Sequence, residues 1–215
     1  MLRQVALFKP LTDEAEARRV CDLFRSRAFR VGETIFQHGD PGECMYLIRS
    51  GKVRIYLPSV DGREITVRVY GVGEVFGELS LLDGGPRTAS AEAVEATQTH
   101  LLYREDFLTL LRDHFGLVQH VLSLLVERLR YTTNYTQQIA FMSVPSRIAA
   151  VLLQLASEHD AGAIKITQQD LANYVGTTRE WVNRALKEFV NRGWVTLHRG
   201  GLTILNRTAL QQSVL

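Results

Sequence analysis

The spacing of apolar positions along this chain changes period twice. Val20, Leu23 and Phe24 share one helical face, which predicts an amphipathic helix from Asp13 to Arg27 with Thr12 as its N-cap. From Ala28 to Tyr103 the helical period gives way to short β-rich runs. Examples are Met45-Tyr46-Leu47-Ile48, Val53-Arg54-Ile55-Tyr56 and Ile65-Thr66-Val67-Arg68-Val69. Turns fall at Gly39-Asp40-Pro41-Gly42, Ser50-Gly51 and Asp61-Gly62, the last a hairpin signal between two alternating runs. Many short strands with such punctuation predict an antiparallel sandwich or barrel.

Helical spacing returns at Phe115 and holds to Met142, a length of roughly 42 Å at the usual rise per residue. Val118, Leu122, Leu125, Leu129, Thr132, Thr136 and Ile139 recur at alternating spacings of four and three, a heptad seam. Leu117, Val121 and Leu124 form a second stripe. A helix that is apolar on two faces needs two partners. A strand-rich domain and a second copy of the same helix would satisfy it, as would the centre of a monomeric core. The seam turns polar at Thr132 and Thr133, which suits either contact with a polar ligand or a solvated helix end.

Ser143-Val144-Pro145 interrupts this helix, with proline favoured in the first turn of a new one and Ser143 available to cap it. A helix is expected from Arg147 to Glu158, burying Ile148, Val151, Leu152 and Leu155. A short strand follows at Ile164-Lys165-Ile166. Thr167-Gln168-Gln169-Asp170 reads as a capping signature before a short helix that buries Leu171, Ala172 and Val175. Gly176 supplies a tight turn, and Thr177-Thr178-Arg179-Glu180 opens a second helix with the same kind of signature and an inner face of Val182, Leu186 and Phe189. This is a helix-turn-helix pattern. Residues 194–197 and 202–205 add a β-hairpin wing. Arg179, Glu180, Asn183 and Arg184 share the outer face of the second helix, where arginine matches guanine and glutamate accepts from cytosine. A solvated face with a Glu180–Arg184 pair would show the same pattern.

Composition narrows the picture. The 215 residues are 46% hydrophobic and 22% charged, as in an ordinary globular protein. No apolar run reaches 18 residues and the first residues carry no signal-peptide pattern, so no membrane association and a cytoplasmic location are expected. Cys21 and Cys44 stand in no motif, which fits a reducing compartment and is too few for a cysteine-ligated iron–sulfur cluster. No metal or haem is expected, and no Ser-His-Asp constellation or nucleoside-triphosphate loop suggests an enzyme. Residues 143–215 carry 8 Lys+Arg against 5 Asp+Glu, whereas residues 1–142 carry 17 against 18. The mildly basic C-terminal part suits contact with DNA.

The densest chemistry lies between Gly77 and Ala91. Glu78 can accept hydrogen bonds from a sugar hydroxyl, and Arg87 can neutralise a phosphate with a permanently charged fork. Leu79 to Leu82 can form one helical turn whose free N–H groups face an anion. The glycines at 77, 84 and 85 permit close backbone approach. A Gly-rich hairpin loop with an incidental Glu and Arg is the plainer reading of the same residues.

This segment resembles the phosphate-binding cassette of the CRP/FNR family, with its Gly-Glu-Leu start and Arg-Thr end. The resemblance covers nearly the whole chain, including the winged helix-turn-helix from Ile164 to Asn206 with its Arg-Glu-x-x-x-Arg pattern. It implies an α+β protein with an N-terminal antiparallel β-roll that binds a cyclic nucleotide (1–113), a long dimerisation helix (114–142) and a winged helix-turn-helix (143–215). It assigns cyclic AMP, an allosteric effector, to Gly77, Glu78, Leu79, Ser80, Arg87, Thr88, Arg128, Thr132 and Thr133. Within that set Glu78 would hold the ribose hydroxyl, and Arg87 and Thr88 the cyclic phosphate. Arg128 would pair with Glu78, and the two threonines would meet adenine from both subunits. It assigns double-stranded DNA with TGTGA-like half-sites to Thr167, Gln168, Thr178, Arg179, Glu180, Asn183 and Arg184. A homodimer and a contact with RNA polymerase are implied. The chain departs from the family pattern in a short segment from Ser157 to Ala163, where enterobacterial members touch RNA polymerase, and in Trp181, where a small polar residue is usual. A regulator of the same fold tuned to cyclic GMP or another effector, or to none, stays open at this point.

Overall fold

The computed structural model describes residues 5–10, 13–157 and 163–214. They divide into two compact units, one of Met1–Val60 with Val67–Arg130, the other of Asp61–Thr66 with Tyr131–Leu215.

The first unit opens with helix α1 (Glu14–Asp22), shorter than the spacing suggests. Asp13 is its N-cap, accepting from the Glu16 backbone N–H at 3.2 Å, and the expected cap Thr12 lies outside the described residues. The helix stops because Phe24 turns into the core against Phe8, ring centroids 5.6 Å apart. Arg25 to Arg27, expected in the helix, instead open strand β1 (Arg25–Phe29), which pairs with β8 (Thr97–Tyr103).

Two antiparallel sheets follow. One has the order β1, β8, β3 (Cys44–Ser50), β6 (Val75–Phe76). The other has the order β2 (Thr34–Phe36), β7 (Ser90–Ala93), β4 (Val53–Pro58), β5 (Glu64–Tyr70). Cys44 to Ile48 are buried without alternation. A strand covered on both faces has no polar side to show. Between β6 and β7 the chain makes the five-residue helix α2 (Leu79–Asp83). The helices α3 (Arg104–Asp113) and α4 (Phe115–Phe141) follow the roll. Leu117 and Val121 of α4 enter a core with Phe8, Met45, Leu81, Leu102 and Phe107.

Along α4 the stripe of Leu117 and Val121 is buried, whereas Leu122 and Leu129 of the heptad seam are 56% and 67% exposed. Neighbouring Val126 is 50% exposed. Part of the seam, at Leu122 and Leu129, is therefore exposed apolar surface, while Val118 and Leu125 are partly buried.

In the second unit, Ser143 Oγ accepts from the Ser146 backbone N–H, which caps α5 (Val144–Ser157) with Pro145 in its first turn. Ile148 and Leu152 are buried, while Val151 and Leu155 are only partly so. Helices α6 (Gln168–Val175) and α7 (Arg179–Asn191) form the helix-turn-helix, joined through Gly176 at φ 68°. Its core is Leu171, Val175, Val182, Leu186 and Phe189 packed on α5. Strand β9 (Ala163–Lys165) pairs with β11 (Gly201–Ile204), and β11 with β10 (Val195–His198), so the wing is a three-stranded sheet. Helix α8 (Arg207–Gln212) closes the unit. The short segment before β9 lies outside the described residues at 158–162.

Thr167 forms a full capping box. Its hydroxyl accepts from the Asp170 N–H at 3.0 Å, and the Asp170 carboxylate accepts from both the Thr167 N–H and hydroxyl. The second signature does not close in this way. Thr177 N–H donates to the Ala172 carbonyl, so the N-cap moves to Thr178. Replacing Thr167 with Ala is expected to cost about 1 kcal/mol, the usual value of such a cap. Chemical denaturation of the chain followed by circular dichroism checks it, and an unchanged midpoint would show the box to be dispensable.

Candidate functional site

The loop from Gly77 to Thr88 is held by its own backbone before any ligand is considered. Gly77 adopts φ 78°. A Cβ there would lie 2.7 Å from Arg87 Nη1, so glycine is required by conformation and by space. At Gly42 a Cβ would meet Ser80 Cβ at 2.1 Å, which fixes how closely the preceding turn approaches α2. Arg87 N–H donates to the Asp40 carbonyl, and the Arg87 carbonyl accepts from Gly39 N–H.

Arg87 is 3% exposed. Its Nη1 donates to the Gly77 carbonyl and its Nη2 to the Cys44 carbonyl, both at 2.6 Å. Its guanidinium lies over the Phe36 ring, 4.3 Å from the centroid. A guanidinium has five N–H donors, and Nε is buried with no partner among the described residues. The side chain is thus both a strut between β3 and the loop and a cation with a donor to spare.

Glu78 is 1% exposed. Oε1 accepts from Arg128 Nη1 on α4, and Oε2 is buried with no partner among the described residues. Arg128 Nη2 also donates to the Val75 carbonyl at 2.5 Å, and its guanidinium lies 5.1 Å from the Tyr70 centroid. The partnership that the resemblance implied for Arg128 is present in the geometry. Ser80 is buried and donates to the Pro86 carbonyl, Leu79 is half-buried and Thr88 is exposed.

An aromatic column lines this region, and no pattern in the sequence singles it out. Tyr46 stacks on Phe76 at 4.9 Å, Phe36 tilts on both, and Tyr70 stacks on Phe76 at 6.4 Å. These four residues sit on different strands, so only the folded sheets bring them together. Burial pushes the Tyr46 and Tyr70 phenols upward, against the opposing pull of Arg87 at one and of Arg128 and Arg68 at the other. Both phenols stay neutral at physiological pH. The only signal for them in the chain was their β propensity.

Thr132 and Thr133 belong to the second unit and are exposed on α4, with Thr136 donating its hydroxyl to the Thr132 carbonyl.

The second unit carries the other candidate face. Arg179, Glu180, Trp181 and Arg184 are exposed near the start of α7, and Asn183 is half-buried. A hydrogen bond from the Thr178 side chain, then the backbone N–H at 180 and the Arg179 charge, lower the Glu180 carboxyl below its usual range. It is a fixed anion and acceptor. The Arg184 guanidinium lies 5.5 Å from the centroid of the Trp181 ring. Thr167, Gln168 and Arg179 line a cavity of about 460 Å³ between α6, α7 and the wing. Among the described residues, no cluster of His, Cys, Asp and Glu could hold a metal ion, and no helix is long and apolar enough to cross a membrane.

Arg128→Leu would leave the Glu78 carboxylate buried and unpaired, which costs about 3–5 kcal/mol. Denaturant unfolding at neutral pH checks this. A loss under about 1 kcal/mol, the value of an exposed pair, would show that the pair is not desolvated.

Comparison with known proteins agrees with this geometry. Residues 26–114 match the family model of the cyclic nucleotide-binding domain, and residues 146–213 that of the Crp-like helix-turn-helix domain. The CRP-like cAMP-activated global transcriptional regulator of Mycobacterium tuberculosis is 39% identical over 176 residues, covering 79% of each chain. The cyclic AMP receptor protein of Thermus thermophilus is 38% identical over 207 residues, covering 96% of this chain and 95% of its own. The c-di-GMP responsive global regulator CLP of Xanthomonas campestris superposes with a TM-score of 0.82 over 89% of this chain and 99% of its own. At 24% identity that likeness shows the fold alone. With a cyclic nucleotide-binding domain ahead of a Crp-like helix-turn-helix, and relatives that are regulators rather than enzymes, the chain belongs to the CRP/FNR family of DNA-binding transcription regulators.

Proposed function

We propose that this chain is a cyclic-AMP-responsive regulator that binds a TGTGA-like palindrome as a homodimer. The observation that carries the effector assignment is the pair of buried atoms in one cassette, Arg87 Nε and Glu78 Oε2, that have no partner among the described residues. One is a cationic donor and the other an anionic acceptor. Buried polar atoms without partners are rare in folded proteins and mark a missing partner. A cyclic nucleotide supplies both complements, a phosphate anion for Arg87 and a ribose hydroxyl for Glu78. Ser80, Thr88 and the backbone at Gly77 and Leu79 complete the cassette, and the Thr132 and Thr133 hydroxyls are assigned to adenine. Relatives named for cyclic AMP, at 38–39% identity, support that nucleotide over others.

The dimer is supported by the exposed Leu122 and Leu129 of the α4 seam, an apolar surface that a second copy would cover. A dimer presents two α7 helices to successive major grooves, roughly 34 Å apart. To carry such a system from mostly inactive to mostly active, the effector must favour the active state by about 5.5 kcal/mol. Two pockets per dimer, each adding charge-assisted hydrogen bonds, are of that order. RNA polymerase is the expected protein partner and the cytoplasm the expected location. The domain limits we assign are 1–113, 114–142 and 143–215.

Calorimetric titration with cyclic AMP, cyclic GMP and cyclic di-GMP tests the effector. Cyclic AMP should bind most tightly, and Glu78→Ala should weaken it by about 1.5–3 kcal/mol. Arg87→Leu should abolish binding, with circular dichroism reporting how much of the roll depends on its bonds to Gly77 and Cys44. Stronger binding of cyclic di-GMP would replace cyclic AMP as the effector.

DNA reading is tested by titrating TGTGA palindromes and their single-base variants against Glu180→Ala. Losing a base-reading side chain should cost about 1–3 kcal/mol and relax preference at one position. Uniform weakening on all sequences would make Glu180 a bystander.

A further inference from the structure

Trp181 is an unusual surface residue. Its indole is 49% exposed on α7, three residues before Arg184, whose guanidinium lies over the ring. The other tryptophan, Trp194, is half-buried and packs on Phe189 at 5.3 Å, as a core aromatic does. The inner face of α7 is already filled by Val182, Ala185, Leu186 and Phe189. Trp181 therefore adds no core contact that the helix lacks, and it leaves a large apolar ring in water beside two charged residues.

We infer that Trp181 is a positioning residue for DNA reading, holding the Arg184 guanidinium for bidentate contact with a guanine in the major groove. The inference rests on the assignment of α7 as the DNA-reading helix. A free arginine samples many rotamers, and each contact it makes must first restrict them. A guanidinium stacked on an indole is restricted before binding, and its edge keeps its donors because stacking uses only the face. Arg184, the donor fork among the base-reading candidates on the outer face, is thus held by a neighbour. The position where the family usually has a small polar residue thus acts here on specificity through the adjacent arginine.

The experiment is selection of binding sites from a randomised duplex pool by the full chain, with the effector present. Affinities for the selected site and its single-base variants are then measured for Trp181→Ala, Trp181→Phe, Arg184→Ala and the double variant Trp181→Ala/Arg184→Ala. Trp181→Ala should lose about 2- to 30-fold in affinity for the selected site, the range of a cation–π contact. It should also flatten preference at the same base that Arg184→Ala flattens, and the double variant should lose little more than Arg184→Ala alone. Trp181→Phe, which keeps an aromatic face, should restore most of the preference. Additive losses, or Trp181→Ala selecting the parental site with unaltered preference at every base, overturn the inference while leaving the DNA-reading helix in place. A parent chain that selects no site overturns both.

Discussion

Glu78 is a carboxylate almost wholly removed from water, and nearly everything around the cassette follows from pairing it. An isolated charge in that position would be far more costly than the chain's net stability allows. Arg128 compensates it from α4, and the same guanidinium binds the Val75 carbonyl and stacks on Tyr70. One side chain therefore ties the cassette, strand β6 and the aromatic column to the long helix. Replacing such a pair by apolar residues is often neutral or favourable. Its retention in ionic form is better explained by what the second carboxylate oxygen is left free to do.

Arg87 obeys a similar logic with the opposite sign. Two of its donors are spent on backbone carbonyls of β3 and of the loop, and the Phe36 face lies against its plane. These contacts hold a cation in a dry place without neutralising it. A site of this kind favours an anion strongly, because water does not screen the attraction. The structural role of Arg87 and the phosphate-binding role proposed for it cannot be separated by simple deletion, since the carbonyls of Gly77 and Cys44 lose their donor whenever the charge is lost.

Much of this was legible in the chain. The hairpin at Asp61-Gly62, the break at Ser143 to Pro145 and the capping box at Thr167 are local signals, and local signals survive without tertiary information. What was hidden has physical causes. Strand β1 is exposed at four of its five positions, so it shows no alternation, and its first three residues read as an extension of α1. The N-cap of α7 falls at Thr178 because the N–H of Thr177 is already used by Ala172, a bond set by the turn geometry at Gly176. The aromatic column joins residues on four strands, and no spacing rule connects positions 36, 46, 70 and 76. The cassette was readable because loop, glycines, acid and base lie within a dozen residues, whereas the Cys44 carbonyl that also holds Arg87 lies outside them.

Two regular elements contain residues of both units, β5 with its boundary at Thr66–Val67 and α4 with its boundary at Arg130–Tyr131. Both are gripped within the first unit close to these boundaries. Arg68 on β5 donates to Glu74 and to Glu127 of α4, and its guanidinium lies 4.9 Å from the Tyr70 centroid, on the ring that Arg128 also meets. The Arg68–Glu127 contact is exposed on its acidic side and contributes about 0–1 kcal/mol at most. The tighter link is the shared Tyr70 ring together with the buried Glu78–Arg128 pair.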